Sequence, residues 1–223
     1  MSKEIEVKYL DVNIKDLRNK LKDIGAKRIH KPFLFKRYIY NLLNDKKGFA
    51  RVRDEVTKKT ITIKTYDESK YANETEIEFT SDINDAKKIL DVLGLIPKAY
   101  QETIREKWTI DECSEIVIDT VPGIPTYVEI ECDNETIIKK ISNKLGFDFK
   151  NGKFGSFIEQ YSDYYGVPSD NFNNGIIKQL TFTSIVDDIN SSVIHNLDKL
   201  KKIAKLQQKK YKHAKIRTEK YNK

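Results

Sequence analysis

The stretch EIEVKY, residues 4–9, lies almost at the N-terminus and alternates strictly between charged and apolar side chains. Successive side chains of a strand point to opposite faces. This stretch therefore presents three charges on one face and three apolar groups on the other: Glu4, Glu6 and Lys8 against Ile5, Val7 and Tyr9. Such a strand is usually half-buried with its charges in water. The alternative is a sheet that closes, so that the charged face becomes an interior.

The motif EIE occurs three times, and a helical pattern of apolar residues follows each copy. The copies cover residues 4–6, 76–78 and 129–131. Each helical pattern ends on an apolar residue followed by glycine, which is the usual C-terminal signal of a helix. We therefore predict helices over residues 13–25, 81–94 and 133–146. Each begins at a suitable N-cap residue: Asn13, Ser81 or Asp82, and Asp133.

Strand-like stretches fill the chain between these helices, and with residues 4–9 they make about eight strands, mostly in hairpin order. The others are KRYIYNL (36–42), FARVRDE (49–55), TITIKTY (60–66), ETEIEFT (74–80), ETIREKWTI (102–110), EIVIDTV (115–121) and YVEIEC (127–132). Basic residues alternate in these strands as well. If the apolar faces pack under the three helices, the charged faces turn towards each other, and about eight strands can close around one small ligand. We therefore predict an α+β fold, an eight-stranded antiparallel β-barrel with flanking helices and a basic C-terminal helical tail.

A charged interior needs compensating charge, because burying an unpaired ion costs several kcal/mol. The acidic and basic side chains could pair with one another, or they could hold guests of both signs. Arginine binds phosphate oxygens in a two-pronged manner, and carboxylates suit Mg²⁺ that is shared with substrate phosphates. The chain has neither a Cys/His cluster for zinc nor a GxxxxGK phosphate loop. This combination favours a site for a metal and a polyphosphate.

Six motifs in order resemble those of the CYTH superfamily, also called triphosphate tunnel metalloenzymes, over roughly residues 3–165. The family's ExExK motif is matched by Glu4, Glu6 and Lys8, its RxR motif by Arg51 and Arg53, and its TxK motif by Thr62 and Lys64. Its ExE motif is matched by Glu76 and Glu78, and its sixth-strand arginine by Arg105. Its DxxPGxxxYxEIE motif is matched by the segment that contains Asp119, Glu129 and Glu131. Two motifs depart from the family. Thr103 stands where many members have lysine, and Lys107 on the same face is the candidate replacement. The family's DxYFD stretch is KRYIY here, residues 36–40, so that only the tyrosine is kept.

The resemblance implies a metal-dependent enzyme that hydrolyses inorganic tripolyphosphate, thiamine triphosphate, or a nucleoside or RNA 5′-triphosphate inside a tunnel, with Mg²⁺ or Mn²⁺ as cofactor. It implies that the triphosphate is bound by Lys8, Arg51, Arg53, Lys64, Arg105 and Lys107. Catalysis would fall to Lys8, Arg53, Lys64 and Arg105. The implied metal ligands are Glu4, Glu6, Glu78, Asp119, Glu129 and Glu131.

Two other functions remain open at this point. A class IV adenylate cyclase of the same family would make cyclic AMP and pyrophosphate from ATP. A module that binds polyphosphate or a nucleotide without turnover would need the cations but fewer carboxylates.

The net charge of +7 is concentrated at the C-terminus. Residues 195–223 contain 11 Lys or Arg and two acidic residues, a charge of +9, which leaves −2 for residues 1–194. We expect a tunnel domain over residues 1–165, a packing extension over 166–194, and a helical or disordered tail over 195–223. The tail has two interpretations: a packed helix with a solvated end, or an electrostatic tether to RNA or another polyanion.

The remaining expectations concern location and assembly. The sequence contains no run of about 18 apolar residues, which is the length that would predict a membrane span. The N-terminus lacks a secretory signal pattern. Cys113 and Cys132 lie far apart in sequence and are expected to be free thiols in a reducing compartment. These observations predict a cytoplasmic protein without membrane insertion, acting on a small-molecule triphosphate as a monomer or homodimer.

Overall fold

The structure is a computed structural model that describes residues 2–3, 5–44, 46–68, 71–189 and 195–222, with only the backbone of Ser2 and Lys3. Glu4, one of the predicted metal ligands, lies outside the described residues. All other predicted site residues are within them.

Ten strands form one sheet. They are β1 (Ser2–Lys3), β2 (Glu6–Tyr9), β3 (Lys27–Asn41), β4 (Gly48–Asp54), β5 (Lys59–Thr65), β6 (Asn73–Phe79), β7 (Ile96–Ile110), β8 (Cys113–Thr120), β9 (Tyr127–Glu131) and β10 (Gln179–Leu180). The order is β1-β6-β5-β4-β3-β7-β8-β9-β2, with every neighbouring pair antiparallel, and β10 adds to β7 in parallel. The N-terminal segment thus pairs with both ends of the sheet, through β1 with β6 and through β2 with β9. Counted as one strand, it completes the predicted eight-stranded antiparallel arrangement with β3 to β9.

The three predicted helices are present as α1 (Ile14–Asp23), α2 (Ile83–Val92) and α3 (Glu135–Lys144). Asn13 caps α1 and Asp82 caps α2, each through a side-chain oxygen that accepts a backbone N–H. The cap of α3 is Asn134, not the predicted Asp133, because the Asn134 side chain accepts from the N–H of Ile137.

The helices lie against the outer, apolar face of the sheet. Leu17 and Leu21 of α1 join a buried cluster with Val7, Ile130 and Ile138. A second cluster contains Ala86 and Leu90 of α2 together with Tyr40, Ala50 and Val52 of β3 and β4. Because these alternate residues are taken up by the helices, the charged residues between them face the inside of the curled sheet.

Four further helices follow the sheet: α4 (Glu159–Tyr165), α5 (Ser169–Asn173), α6 (Ile185–Asp188) and α7 (Leu197–Tyr221). The basic tail is therefore helical to Tyr221. Its distal part packs on β3, where Ala214 is buried and the Thr218 hydroxyl accepts the backbone N–H of Leu34 at 2.9 Å. Arg217 donates a hydrogen bond to the carbonyl of Pro32. The end of the tail is thus a packed helix whose lysines face outward.

Cys113 and Cys132 form a disulfide, so the expectation of two free thiols is wrong. The register of β8 with β9 pairs Glu115 with Glu131, which brings the start of one strand beside the end of the other. Sequence separation hid this proximity. The argument for a reducing compartment therefore loses one of its supports, because disulfides persist mainly in oxidising environments. None of the described helices is long and apolar enough to cross a bilayer.

Candidate active site

The curled sheet encloses a cavity of about 990 Å³ whose wall is mostly charged. The register explains which side chains reach it, because residues paired across neighbouring strands share a face. Lys8 pairs with Glu129, Arg105 with Asp119, and Thr62 with both Arg51 and Glu76. The charged residues that line the cavity include Glu6, Lys8, Arg37, Arg51, Arg53, Lys58, Lys64, Glu74, Glu76, Arg105, Glu115, Asp119, Glu129 and Glu131. We call this cavity the tunnel.

Lys8 lies between two carboxylates in the part of the tunnel wall that β2 and β9 form. Its Nζ is 2.5 Å from Glu6 Oε1 and 3.0 Å from Glu129 Oε2. Burial alone would lower the pKa of Lys8, but Glu129 and Glu6 outweigh it and raise the pKa well above 10.5. Burial alone would raise the pKa of Glu129, but Lys8 and Arg105 outweigh it and hold the pKa at about 2. Lys8 and Glu129 are therefore both charged at neutral pH.

The two arginines of the RxR strand converge on Glu76. Its Oε2 lies 3.4 Å from Arg53 Nη2 and 3.6 Å from Arg51 Nη2. Although burial raises the pKa of Glu76, Arg53 and Lys58 outweigh it and lower the pKa to about 2. Arg53 Nε is buried and has no hydrogen-bond acceptor among the described residues. An oxygen-rich anion in the tunnel would satisfy that donor.

Arg105 forms a two-pronged pair with Asp119. Nε and Nη2 donate to the two carboxylate oxygens at 2.9 and 2.7 Å, and Nη1 donates to Glu115 at 3.0 Å. Burial disfavours the charged guanidinium, but Asp119 and Glu115 outweigh it and raise the pKa of Arg105 well above its ordinary value. Asp119 is itself almost fully buried. In this arrangement Asp119 fixes the orientation of Arg105.

The other two predicted phosphate-binding lysines differ in position. Lys64 lines the tunnel, with its Nζ 3.3 Å from Glu74 Oε2. Lys107 is half-buried on β7 and is not among the residues lining the cavity, and its Nζ lies 3.3 Å from Glu115. Thr103, at the position of the family's lysine, accepts a hydrogen bond from Arg37.

The acidic residues offer oxygen donors suited to a hard divalent cation. Glu6, Glu131 and Glu115 stand directly opposite one another across β2, β9 and β8. Like charges in such positions repel, and a cation between them would relieve the repulsion. Within the described part of the chain, no three Asp, Glu, His or Cys side chains converge as a ready-made metal site. The fit to Mg²⁺ or Mn²⁺ rests on the chemistry of these carboxylate oxygens, which are the ligands that hard divalent cations prefer.

The structure does not bring Glu78 into the tunnel. Its side chain is 66% exposed and its Oε1 lies 3.2 Å from Lys58 Nζ. Glu74, two residues before Glu76 on the same face, lines the cavity instead. The EIE motif identified the correct strand, but its inward acidic pair is displaced by two residues towards the N-terminus.

Sequence reasoning also missed Arg37, Glu115 and Lys58, which all line the tunnel. Alternation along β8 could have identified Glu115, because it lies four residues before Asp119, an inward carboxylate of the same strand. Lys58 lies in the turn between β4 and β5, outside the alternating strands from which the site residues were chosen. Its side chain folds back to Glu76 at 3.0 Å, so the turn does not place it outside.

Residues beyond the sheet cover part of the same cavity. Phe157, Phe172, Asn173 and Asn174 come from the segment between α3 and β10 and contribute aromatic and amide groups to its wall. Lys98 lies beside them, with its Nζ 3.5 Å from Asn173 Oδ1. It is the extra residue of a β-bulge, because Ile39 pairs with Ala99 and Tyr40 with Pro97.

Comparisons with known proteins agree with this geometry. The model of the CYTH domain matches residues 2–144. A Pyrococcus horikoshii protein, PH1012, superposes with a TM-score of 0.59 at 23% identity, covering 70% of this chain and 98% of its own. A candidate adenylate cyclase from Vibrio parahaemolyticus gives 0.58 at 18% identity, covering 72% and 98%. Pyrococcus horikoshii PH1819 gives 0.55 at 21% identity, with the same two coverages. No curated protein matches the sequence.

Proposed function

This chain belongs to the CYTH family, and from that premise we propose that it is a metal-dependent triphosphatase that hydrolyses a triphosphate inside the tunnel. One observation carries the proposal. Arginines and lysines from β2, β4, β5 and β7 converge in one enclosed space with carboxylates from β2, β6, β8 and β9. Cations from four strands can surround a phosphate chain, and carboxylates can share a divalent cation with it.

The cations bind the chain of phosphates and offset the charge that develops on its oxygens. Phosphoryl transfer needs little covalent help from a protein, so positioning and electrostatic stabilisation supply most of the rate. Lys8, Arg51, Arg53, Lys64 and Arg105 take these roles in our proposal. Each has a carboxylate within 4 Å in the free protein, so binding exchanges one anionic partner for another. That exchange limits the desolvation cost of binding.

Glu6, Glu129 and Glu131 would hold the Mg²⁺ or Mn²⁺, which supplies positive charge to the phosphate oxygens when bound. Asp119 has a different role in our proposal. Because both of its oxygens accept from Arg105, it positions that guanidinium and keeps it charged.

Product analysis tests the proposal. The full chain is incubated with Mg²⁺ or Mn²⁺ and, separately, tripolyphosphate, thiamine triphosphate, ATP and a 5′-triphosphate RNA, and the products are separated by chromatography. Release of orthophosphate is expected, and the fastest substrate identifies the branch. Cyclic AMP with pyrophosphate from ATP would mean a cyclase. A stable complex without product would mean a binding module.

A pair of variants tests the tunnel cations. Arg53→Ala should lower kcat/KM by about 10²-fold or more, because one oriented donor to a developing charge contributes about that much. Lys88→Ala, on the exposed surface of α2, removes a cation outside the tunnel and should leave the rate unchanged. Equal losses in the two variants would remove Arg53 from the chemistry.

A further inference from the structure

Arg37 is a buried tunnel residue that the predicted phosphate-binding set does not contain. It lies near the centre of β3, lines the cavity and is only 8% exposed. Its cross-strand neighbours are Arg53 on β4 and Gln101 on β7. Two positive charges therefore stand directly opposite each other on an inner face, an arrangement that destabilises a sheet.

The other arginines of the tunnel wall balance their charge within the protein. Arg51, Arg53 and Arg105 each have a carboxylate within 4 Å. Among the described residues, no carboxylate forms a salt bridge with Arg37. Its guanidinium donates to the hydroxyl of Thr103 and lies 5.2 Å from the ring centre of Phe157. Neither group carries a negative charge.

The surroundings of Arg37 work against its own charge. Burial is the largest influence, and the nearby Arg51 and Arg105 add to it. Together they outweigh Tyr127 and Asp119, which act in the opposite direction, so that the pKa of Arg37 falls to about 10. The group remains protonated at neutral pH, and no carboxylate of the described residues pairs with this buried cation. Such a cation costs stability. It also requires no partner exchange when an anion arrives.

We propose that Arg37 binds a phosphoryl group of the substrate, which acts as the counter-ion that the protein itself does not provide. The inference rests on the proposed function for the identity of the anion. The cations with carboxylate partners must give up an ion pair to bind phosphate, whereas Arg37 has no ion pair to give up. Arg37 therefore gains a counter-ion only when the anion binds, and its unpaired charge lowers the stability of the protein while the tunnel is empty.

Binding of tripolyphosphate in EDTA, where no metal supports turnover, tests this inference by calorimetry. Arg37→Met keeps a flexible apolar side chain against Phe157 and should weaken the Kd about tenfold or more, because a charge-assisted hydrogen bond is lost. Arg37→Lys keeps the charge without the fork and should fall between. Lys36→Gln, on the exposed adjacent position of the same strand, is the matched control and should bind as the unmodified chain does.

Thermal melting of the same variants without ligand separates binding from a structural role. Arg37→Met should raise the Tm by about 2–4 °C, because an uncompensated buried charge is removed. A structural role would lower the Tm. Unchanged affinity in Arg37→Met, or weakened affinity together with a lowered Tm, overturns the inference.

The experiment also separates this inference from the proposed function. If the unmodified chain binds tripolyphosphate, Arg37→Met binds it weakly and no triphosphate is ever hydrolysed, the inference stands and the proposed function fails. If triphosphates are hydrolysed but the two proteins bind equally, the inference alone fails. If the unmodified chain does not bind tripolyphosphate in EDTA but hydrolyses a triphosphate with metal, the inference alone fails. If it neither binds tripolyphosphate nor hydrolyses any triphosphate, both are overturned.

Discussion

At the scale of single residues, the tunnel keeps carboxylates ionised far below their ordinary pKa. Glu129 and Glu76 both titrate at about 2, although burial by itself favours their neutral forms. Their ordinary value is 4.5. The unfolded chain therefore binds more protons than the native chain between pH 4.5 and 2, and the stability that these carboxylates contribute above pH 4.5 is lost as the pH falls.

Glu129→Gln should reduce the dependence of the free energy of unfolding on pH between pH 4.5 and 2. Each depressed carboxylate contributes a slope of about 1.4 kcal/mol per pH unit to the free energy of unfolding between those pH values. Removing Glu129 should lower stability at pH 7 and reduce the slope below pH 4.5. Urea unfolding at a series of pH values measures both. Asp111→Asn, in the exposed turn after β7, should retain the full slope. An unchanged slope in Glu129→Gln would contradict the role assigned to its pairing with Lys8.

Motifs with alternating charges predicted well which side chains line the tunnel, whereas turns and interrupted patterns did not. Lys8, Arg51, Arg53 and Arg105 lie on strands whose alternation is clear from sequence, and all four line the tunnel. Arg37 sits between Lys36 and Tyr38, so polar character does not alternate there. The direction of its side chain follows from pairing with β4 and β7, which no local pattern contains.

At the scale of elements, the buried side chain of Gln207 hydrogen-bonds α7 to the loop between β8 and β9. Gln207 Nε2 donates to the carbonyls of Val121 and Ile124 at 2.9 and 2.7 Å, and its Oε1 accepts from the N–H of Gly123 at 2.8 Å. This loop belongs to the DTVPGIPTYVEIE motif that presents Asp119 and Glu129. The helix beyond the family-matched residues thus supports the site from behind.

Gln207→Ala should destabilise the protein by about 2–4 kcal/mol, because three backbone groups would lose their buried partner. Chemical denaturation measures the loss as a fall in the midpoint with little change in the slope. Lys205→Ala, exposed on the same helix, should change stability by no more than about 0.5 kcal/mol. A Gln207→Ala protein as stable as the Lys205→Ala protein would show that α7 is not anchored by this residue.

The elements that sequence predicts best are those with complete local signals. Helices α1, α2 and α3 have caps, apolar stripes and final glycines, and all were predicted. The distal part of α7 lacks an apolar stripe, and its helical state depends on contacts of Ala214 and Thr218 with β3 and its surroundings. Those contacts are long-range, so charge composition favoured a solvated end.

At the scale of the whole molecule, the N-terminal segment joins the two ends of the sheet. Its ladders run to β6 on one side and to β9 on the other, and Val7 is fully buried against α1 and α3. Hydrophobic periodicity predicted eight strands, but the order that places β3 beside β7 arises from pairing across about 70 residues of sequence. Local patterns contain no information on such a pairing.

Deletion of residues 2–9 should therefore prevent stable folding. Both sheet edges would be left unpaired, and exposed edges favour aggregation. Gel filtration and circular dichroism melting should show aggregates or a broad transition. Removal of residues 222–223, which follow α7, should leave a monophasic melt close to that of the full chain. A sharp melt of the 2–9 deletion at the full-chain Tm would contradict closure by this segment.

Closure by the N-terminal strand also fixes when the tunnel becomes complete during synthesis. Residues 6–9 leave the ribosome before their partners on β9, which emerge about 120 residues later, roughly 10 s at ordinary elongation rates. Until then Glu6 and Lys8 have no strand to pair with. A nascent chain therefore has no closed tunnel until β9 has been synthesised.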